Sequence, residues 1–203
     1  MSATLYFAFV AAASLLLLLP GPTVLMVVSY GLAEGRRSLW ALVVGVALGD
    51  AVALACSVAG LGAVLAASAA AFTFLKYAGA IYLIYLGIGM LRSGAALTPK
   101  PVRSSPRRKF AHAFAVTAVN PKCILFFVAF LPQFVSHAAP AGPQLLLLGL
   151  TFVLLSALNV GFYSYLSGTA GHCIQNPRFL RRIKGVSGSV MIGAGLLTAA
   201  ARE

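Results

Sequence analysis

Proline interrupts the apolar sequence in the middle of each half of this chain, at Pro20-Gly21-Pro22 and at Asn120-Pro121-Lys122. Because proline lacks a backbone N–H and clashes with the carbonyl one turn before it, it breaks a helix. A carbonyl freed in a lipid bilayer has no water to bind, so broken helices persist there only where they are buried in protein or line a cavity. Two breaks at matching positions predict a membrane carrier with a binding site near the bilayer midplane.

The composition of the chain excludes a soluble globular domain. Hydrophobic residues make up 61% of the 203 residues, charged residues only 9%, and the mean hydropathy is +0.96. No Asp, Glu, Lys or Arg occurs from Met1 to Ala33 or from Cys123 to Gln175, and the second stretch is far longer than one crossing of about 20 residues. We predict one integral membrane domain. Its first apolar run is a membrane segment and not a signal peptide, because no Lys or Arg precedes it.

Hydropathy predicts six membrane spans, and the first and fourth contain the proline breaks. The predicted spans are Thr4–Leu32, Ser38–Leu65, Ala70–Leu91, Phe110–Phe134, Gln144–Leu166 and Gly185–Ala201. The basic linker Ala96–Lys109 divides the chain into two halves of three spans, 1–95 and 110–203. An odd number of spans makes the second half enter the bilayer from the opposite side. We therefore predict an all-α integral membrane fold, an inverted 3+3 repeat with a broken first helix in each half.

The net charge of +12 is explained by topology. Positive residues mark the cytoplasmic loops of membrane proteins, and the loops after the first, third and fifth spans hold twelve of the Lys and Arg residues. These are Arg36, Arg37, Arg92, Lys100, Arg103, Arg107, Arg108, Lys109, Arg178, Arg181, Arg182 and Lys184. We predict that both termini are periplasmic. The same residues favour contact with anionic membrane lipid. Nucleic-acid binding is not predicted, because the loops lack interleaved aromatic residues.

Small residues four apart predict close helix packing in the second and sixth spans. The pairs are Gly45 with Gly49 and Ser189 with Gly193. Small residues allow helices to approach closely in lipid. We interpret both pairs as packing surfaces inside the protein. A homodimer is left open.

Asp50 is the only acidic residue inside a predicted span. A carboxylate in a membrane is costly and by default marks an ion path or a proton relay. We take it as the candidate proton carrier, the alternative being a hydrogen-bonded carboxyl that fixes helix packing. Asn159 in the fifth span is its nearest polar counterpart in the second half.

Polar residues beside the breaks are the candidate substrate contacts. Lys122 could meet a substrate carboxylate, pair with Asp50, or cap carbonyls freed by the break. Asn120 offers donors and acceptors, and Thr23 a hydroxyl. The candidate substrate-binding residues are Pro20, Gly21, Pro22, Thr23, Asn120, Pro121, Lys122 and Asn159. The chain has no CxxC, HExxH or GxSxG motif. No metal, cofactor or enzymatic activity is predicted.

An ordered set of motifs resembles the lysine exporter (LysE/RhtB) family, closest to its threonine/homoserine efflux (RhtB-like) branch. The set is Leu19-Pro20-Gly21-Pro22, Gly31, Gly35-Arg36, Gly45, Gly49, Lys76-Tyr77-Ala78-Gly79-Ala80, Tyr82-Leu83, Tyr85-Leu86-Gly87, Phe110, Phe114, Asn120-Pro121-Lys122, Phe126-Phe127 and Pro132-Gln133-Phe134. The resemblance implies an amino-acid exporter of the bacterial inner membrane, driven by proton exchange. Many relatives carry Asn or Asp after the Pro-Gly-Pro, where this chain has Thr23.

Broken helices suit the charged end that all α-amino acids share. N–H groups at a half-helix N-terminus suit a carboxylate, and carbonyls at a half-helix C-terminus suit an ammonium group. A single acid within the spans favours a neutral side chain, as in threonine, homoserine or leucine-like substrates. We therefore expect a secondary active exporter that works by proton antiport with alternating access. The alternative is a cation, metal or basic amino-acid exporter of the same superfamily.

Overall fold

The computed structural model describes residues 1–18, 21–67, 69–92, 103–136, 138–169 and 177–200. Every regular element in these ranges is helical. The helices are α1 (Ala3–Leu18), α2 (Pro22–Glu34), α3 (Leu39–Ala67), α4 (Ala69–Arg92), α5 (Pro106–Ala118), α6 (Pro121–Leu125), α7 (Ala141–Thr169) and α8 (Pro177–Ala200). A 3-10 turn, Gly35–Ser38, joins α2 to α3, while a π turn, Phe126–Phe130, and a 3-10 turn, Leu131–Phe134, follow α6.

Both breaks predicted from the prolines are present. Helix α1 ends at Leu18 and α2 begins at Pro22, with their axes bent by 56°. Helix α5 ends at Ala118 and α6 begins at Pro121. Proline is well suited to the first position of a helix, where its missing N–H would have no intrahelical partner. The prolines therefore both end one helix and begin the next.

Three of the described helical segments are long and apolar enough to cross a membrane, namely Leu39–Gly60, Pro106–Phe134 and Ala141–Ser167. The bent pair α1 and α2 would make a fourth. A helix also occupies each of the other two predicted spans, although α8 begins at Pro177, well before the predicted Gly185. Since neither α4 nor α8 meets that length and composition test across its described residues, the six-span count stays a prediction.

Helix α7 separates an outward apolar face from an inward face. Four leucines spaced one turn apart are each more than half exposed, and these are Leu146, Leu150, Leu154 and Leu158. Leu148, Phe152, Ser156 and Val160 are buried on the opposite side. A continuous exposed leucine stripe of this length is unfavourable in water. It is what a helix facing lipid requires.

Glycines set the close helix contacts. A Cβ atom on Gly45 or Gly49 would lie 2.8 Å from the backbone oxygen of Phe110 or Phe114, so α3 and α5 touch along their backbones. This confirms that the Gly45–Gly49 pair packs inside the protein.

The predicted Ser189–Gly193 pair is wrong. Ser189 is exposed, and a Cβ on Gly193 would meet no described atom within 4 Å. In α8 the contact instead uses Gly188, which lies against Gly87 of α4, and Gly195, two turns further on. A spacing of seven keeps residues on one helix face just as a spacing of four does, so small residues alone did not reveal which face is packed.

The helices form a connected core in which α3 and α7 are central. Helix α3 packs against α5 and α7, and α7 also contacts α1 and α2. Helix α4 packs mainly against α8. This arrangement brings the first break next to α7, because α1 and α2 both contact it.

Candidate functional site

The C-terminal end of α1 presents carbonyls that its own backbone cannot satisfy. In an α-helix the carbonyl of residue i accepts from the N–H of residue i+4. Leu16 would therefore need an N–H at Pro20, and Leu18 one at Pro22, but proline has none. The carbonyl of Leu17 would need Gly21, which lies beyond the end of the helix.

Each of these three carbonyls instead accepts a hydrogen bond from a side chain of the second half. The pairs, all at 3.0 Å, are Lys122 Nζ with Leu16 O, Asn159 Nδ2 with Leu17 O, and Tyr163 Oη with Leu18 O. The donors lie 106 to 145 residues away in the sequence. Among the described residues, the donors to these three carbonyls are side chains of α6 and α7.

The second break is closed largely by its own residues. Asn120 Oδ1 accepts from the Lys122 N–H at 3.1 Å and so caps α6. Asn120 Nδ2 donates to Thr23 Oγ1 at 3.0 Å, and Thr23 Oγ1 lies 3.4 Å from Thr117 Oγ1. These hydroxyls and the amide join the two breaks directly.

Asp50 lies buried beside this cluster, with 1% of its surface exposed. Its Oδ2 accepts from the Ser156 hydroxyl. Its Oδ1 has no hydrogen-bond partner among the described residues apart from the weak donor Cys123, whose thiol lies beside the carboxyl. The carboxylate also interacts electrostatically with Lys122. Asp50 is therefore part of the same polar cluster as the two breaks.

The structure brings most of the predicted site residues together. Thr23, Asn120, Lys122 and Asn159 are linked by the contacts above, and a Cβ on Gly21 would lie 3.5 Å from Lys122 Nζ. Pro22 and Pro121 are the first residues of α2 and α6 and are exposed. Pro20 lies outside the described residues.

Three residues of the cluster were missed by sequence reasoning, namely Thr117, Ser156 and Tyr163. A signal for two of them was present in α7. Ser156, Asn159, Tyr163 and Ser167 recur at intervals of three or four, which places them on one face of a helix. A polar stripe in an apolar span is as informative as a single acid.

Polar contacts join α2 to the start of α5 at the end of α2 away from the breaks. The Tyr30 hydroxyl lies 3.0 Å from His112 Nδ1. Glu34 forms an ion pair with Lys109, and its Oε1 accepts from the Ser104 N–H at 2.9 Å. Lys109 was predicted to be the last residue of the basic linker. It is only 2% exposed, because α5 already begins at Pro106 and the Lys109 side chain packs against Glu34 of α2.

Aromatic side chains join α1 to the segment after α6 on the other side of the breaks. The ring of Phe9 lies 5.4 Å from that of Phe134 and 6.0 Å from that of Phe126. Phe127 and Phe152 meet edge to face at 4.7 Å. All five rings are buried. The polar cluster is therefore bounded by an apolar seal on one side and by ionic contacts on the other.

The family model for the LysE type translocator matches residues 14–201. This chain belongs to the LysE type translocator family. The match includes both breaks, Asp50 and the α7 donors, so the whole polar cluster lies within the region that defines the family.

Relatives of known name match over nearly the full length of the chain. A homoserine/homoserine lactone efflux protein of Salmonella typhi is 31% identical, covering 98% of this chain and 97% of its own. A leucine efflux protein of Enterobacter sp. (strain 638) is 29% identical, covering 93% of this chain and 92% of its own. A membrane protein of Vibrio cholerae is 34% identical over 97% of each chain. No solved structure matches the chain.

Proposed function

We propose that this protein exports small neutral amino acids, such as threonine, homoserine or leucine-like substrates, across the bacterial inner membrane. The observation that carries the proposal is the row of three α1 carbonyls meeting side-chain donors at the centre of the polar cluster. Carbonyls at a helix C-terminus carry partial negative charge and suit an ammonium group. Every α-amino acid presents such a group.

The N-terminus of α2 offers a binding position for the carboxylate end of an amino acid. Its cap residue is Gly21, which provides no side-chain hydrogen bond to the first turn. The first N–H groups of a helix are without intrahelical partners and attract an anion. In contrast, Asn120 already caps α6. A carboxylate would therefore bind beside Gly21, within reach of an ammonium at the end of α1.

The named relatives support this choice of substrate. Their substrates, homoserine, homoserine lactone and leucine, share an amino group on a small body with an uncharged side chain. In this chain the cluster described above contains one acid, Asp50, which favours a neutral substrate over lysine or arginine.

Proton antiport is assigned to Asp50. A buried acid beside the site can exchange a proton as its surroundings change, and burial of this kind marks proton relays in membrane proteins. Its hydroxyl partner Ser156 is on α7, next to the donor Asn159. Substrate and proton would thus compete for one cluster.

Alternating access is assigned to relative motion of the two halves. Exchanging α1–α2 with α5–α6, α3 with α7 and α4 with α8 turns the contact of α3 with α5 into that of α7 with α1, and both occur. This supports the inverted repeat, with halves 1–95 and 110–203. The Phe9 seal and the Glu34–Lys109 pair would open in turn.

Uptake into inverted membrane vesicles tests the function. Labelled leucine, threonine or homoserine should accumulate when a proton gradient is imposed, and Asp50→Asn should abolish this while leaving exchange of labelled for unlabelled substrate. Wild-type accumulation by Asp50→Asn would show that the proton carrier lies elsewhere. Failure of the unaltered protein to move any of the three would refute the proposed substrate class.

The proposed orientation has both termini in the periplasm and the basic loops in the cytoplasm. Single cysteines at Ser2 and Ser104 report it by labelling with an impermeant thiol reagent in whole cells. We expect labelling at position 2 only. Labelling at position 104 and not at 2 would reverse the orientation.

A further inference from the structure

Lys122 occupies the position that suits a substrate amino group. Its ammonium donates to the Leu16 carbonyl at 3.0 Å, and Leu16 is one of the acceptors left open by Pro20. A lysine side chain ends in the same primary ammonium that an amino acid presents. The protein therefore supplies, from its other half, the chemical group expected of its ligand.

The backbone of Lys122 is held by hydrogen bonds that do not involve its ammonium. The Lys122 N–H is held by Asn120 Oδ1, and the following Cys123 N–H bonds to the Asn120 carbonyl at 3.1 Å. The side chain beyond is a flexible four-carbon stem with three donors at its tip. The ammonium can leave Leu16 without unfolding α6.

A second acceptor is available for the displaced ammonium. Asp50 is buried and interacts electrostatically with Lys122. Its Oδ1 has no hydrogen-bond partner in the described part of the chain other than the weak Cys123 thiol. A buried carboxylate oxygen with so few partners, near an ammonium on a long side chain, favours their pairing when the α1 end is taken by another cation.

We propose that Lys122 is a tethered competitor for the amino-group position at the end of α1, which it holds in the empty carrier and yields to the substrate. This rests on the proposed amino-acid export. Once displaced, the ammonium pairs with the substrate carboxylate and with Asp50. The cluster then holds two cations and two anions, so its charges balance and a zwitterion is accepted.

Competition by the Lys122 ammonium makes the protein select against simple amines. An amine without a carboxylate would displace Lys122 but bring no anion to meet it, leaving two cations and one acid, Asp50, in the cluster. An uncompensated buried charge is costly. The carrier should therefore reject amines because of Lys122, and removing the lysine should relax that rejection.

Binding constants measured by calorimetry on the detergent-purified full chain test this. L-leucine, L-threonine and L-homoserine are titrated first, and each one that binds is paired with its own decarboxylated amine, 3-methylbutylamine in the case of leucine. In the unaltered protein we expect the amino acid to bind more tightly than the amine. In Lys122→Met we expect the amino acid to weaken and the amine to tighten. The ratio of the two constants should fall by about tenfold or more, the value of one hydrogen bond to a charged group.

Two further variants control the experiment. Lys122→Arg keeps the charge and should keep the preference for the amino acid. Lys122→Gln removes the charge but keeps a donor for the Leu16 carbonyl. It should also lower the ratio of the amino-acid to the amine binding constant, and it replaces Lys122→Met if the methionine variant does not fold.

The possible failures are distinguishable. An unchanged ratio in the neutral variants, or loss of amine binding along with the amino acid, would overturn the proposal while leaving amino-acid export intact. If none of the three amino acids binds the unaltered protein, the proposed function and this inference both fail.

Discussion

The two breaks look alike in sequence but are stabilised in opposite ways. At the second break Asn120 caps α6 two residues away, and its carbonyl accepts the N–H groups of Cys123 and Ile124. At the first, the carbonyls at the end of α1 rely on donors that lie 106 or more residues away. The second break is stabilised by local hydrogen bonds, whereas the α1 carbonyls at the first meet these donors only in the folded protein.

The difference indicates which break can change during transport. A break that satisfies itself can remain intact while the helices around it move. A break whose acceptors are filled by another part of the chain can exchange those partners for a ligand, because each donor can be replaced by an equivalent one. We therefore propose the first break as the ligand site and the second as the support that carries Lys122.

The largest expected effect tests how the second break is docked. Gly49→Ala would place a Cβ 2.8 Å from both Phe114 O and Thr117 Cβ. Because a backbone oxygen cannot move aside cheaply, we expect destabilisation of about 1–3 kcal/mol. Gly161→Ala on α7 is the control, since no described atom lies within 4 Å of its Cβ position. Thermal unfolding of the purified protein measures both. Equal midpoints would show that α5 adjusts freely on α3.

The next effect separates the local cap from the bridge between the breaks. Asn120→Ala removes the cap of α6 and the donor to Thr23, and should cost about 2 kcal/mol, one from each. Thr23→Val removes only the bridge and should cost about half as much. The comparison fails if Thr23→Val is the more damaging, because the second break would then depend on the first.

A smaller effect tests the dependence of the first break on α7. Asn159→Ala leaves the Leu17 carbonyl without its donor and should cost about 1 kcal/mol. Tyr163→Phe should cost less, because its hydrogen bond to Leu18 is exposed whereas that of Asn159 is partly buried. In both variants we expect a clear loss of substrate export and only a small decrease of the unfolding midpoint. No change in either quantity would mean that these carbonyls need no tertiary partner.

The smallest effect is expected away from both breaks. Tyr6 of α1 shares a hydrogen bond of 3.1 Å with Thr151 of α7, whose hydroxyl also donates to Leu147. Tyr6→Phe should change stability by no more than about 0.5 kcal/mol and leave export unaltered. A loss of export would show that any contact between α1 and α7 matters, and not specifically those at the break.

Much of this organisation could be predicted because its causes are local. Proline at Pro22 and Pro121 begins helices wherever it occurs, since its chemistry does not depend on neighbours far away. Gly49 likewise predicts close helix packing, and the long apolar runs predict membrane helices. Thr23, Asn120 and Lys122 lie close together, as expected for residues that flank the two breaks.

The sequence could not predict which polar side chain would meet which acceptor in the folded protein. Lys122 was expected to meet a substrate carboxylate, pair with Asp50 or cap carbonyls freed by the break, and the carbonyl that it caps belongs to the other break, at the end of α1. Lys109 was placed in the basic linker, yet it lies in α5 and is buried against Glu34.

By itself, the sequence determined where the chain breaks and which carbonyls are left open, because Pro20 and Pro22 lack the N–H groups that Leu16 and Leu18 require. Only the tertiary structure decided that Lys122, Asn159 and Tyr163 fill them. The physical reason is that an open acceptor constrains only the kind of partner it needs. The identity of that partner depends on how α6 and α7 are rotated against α1, which is set by packing across the whole core.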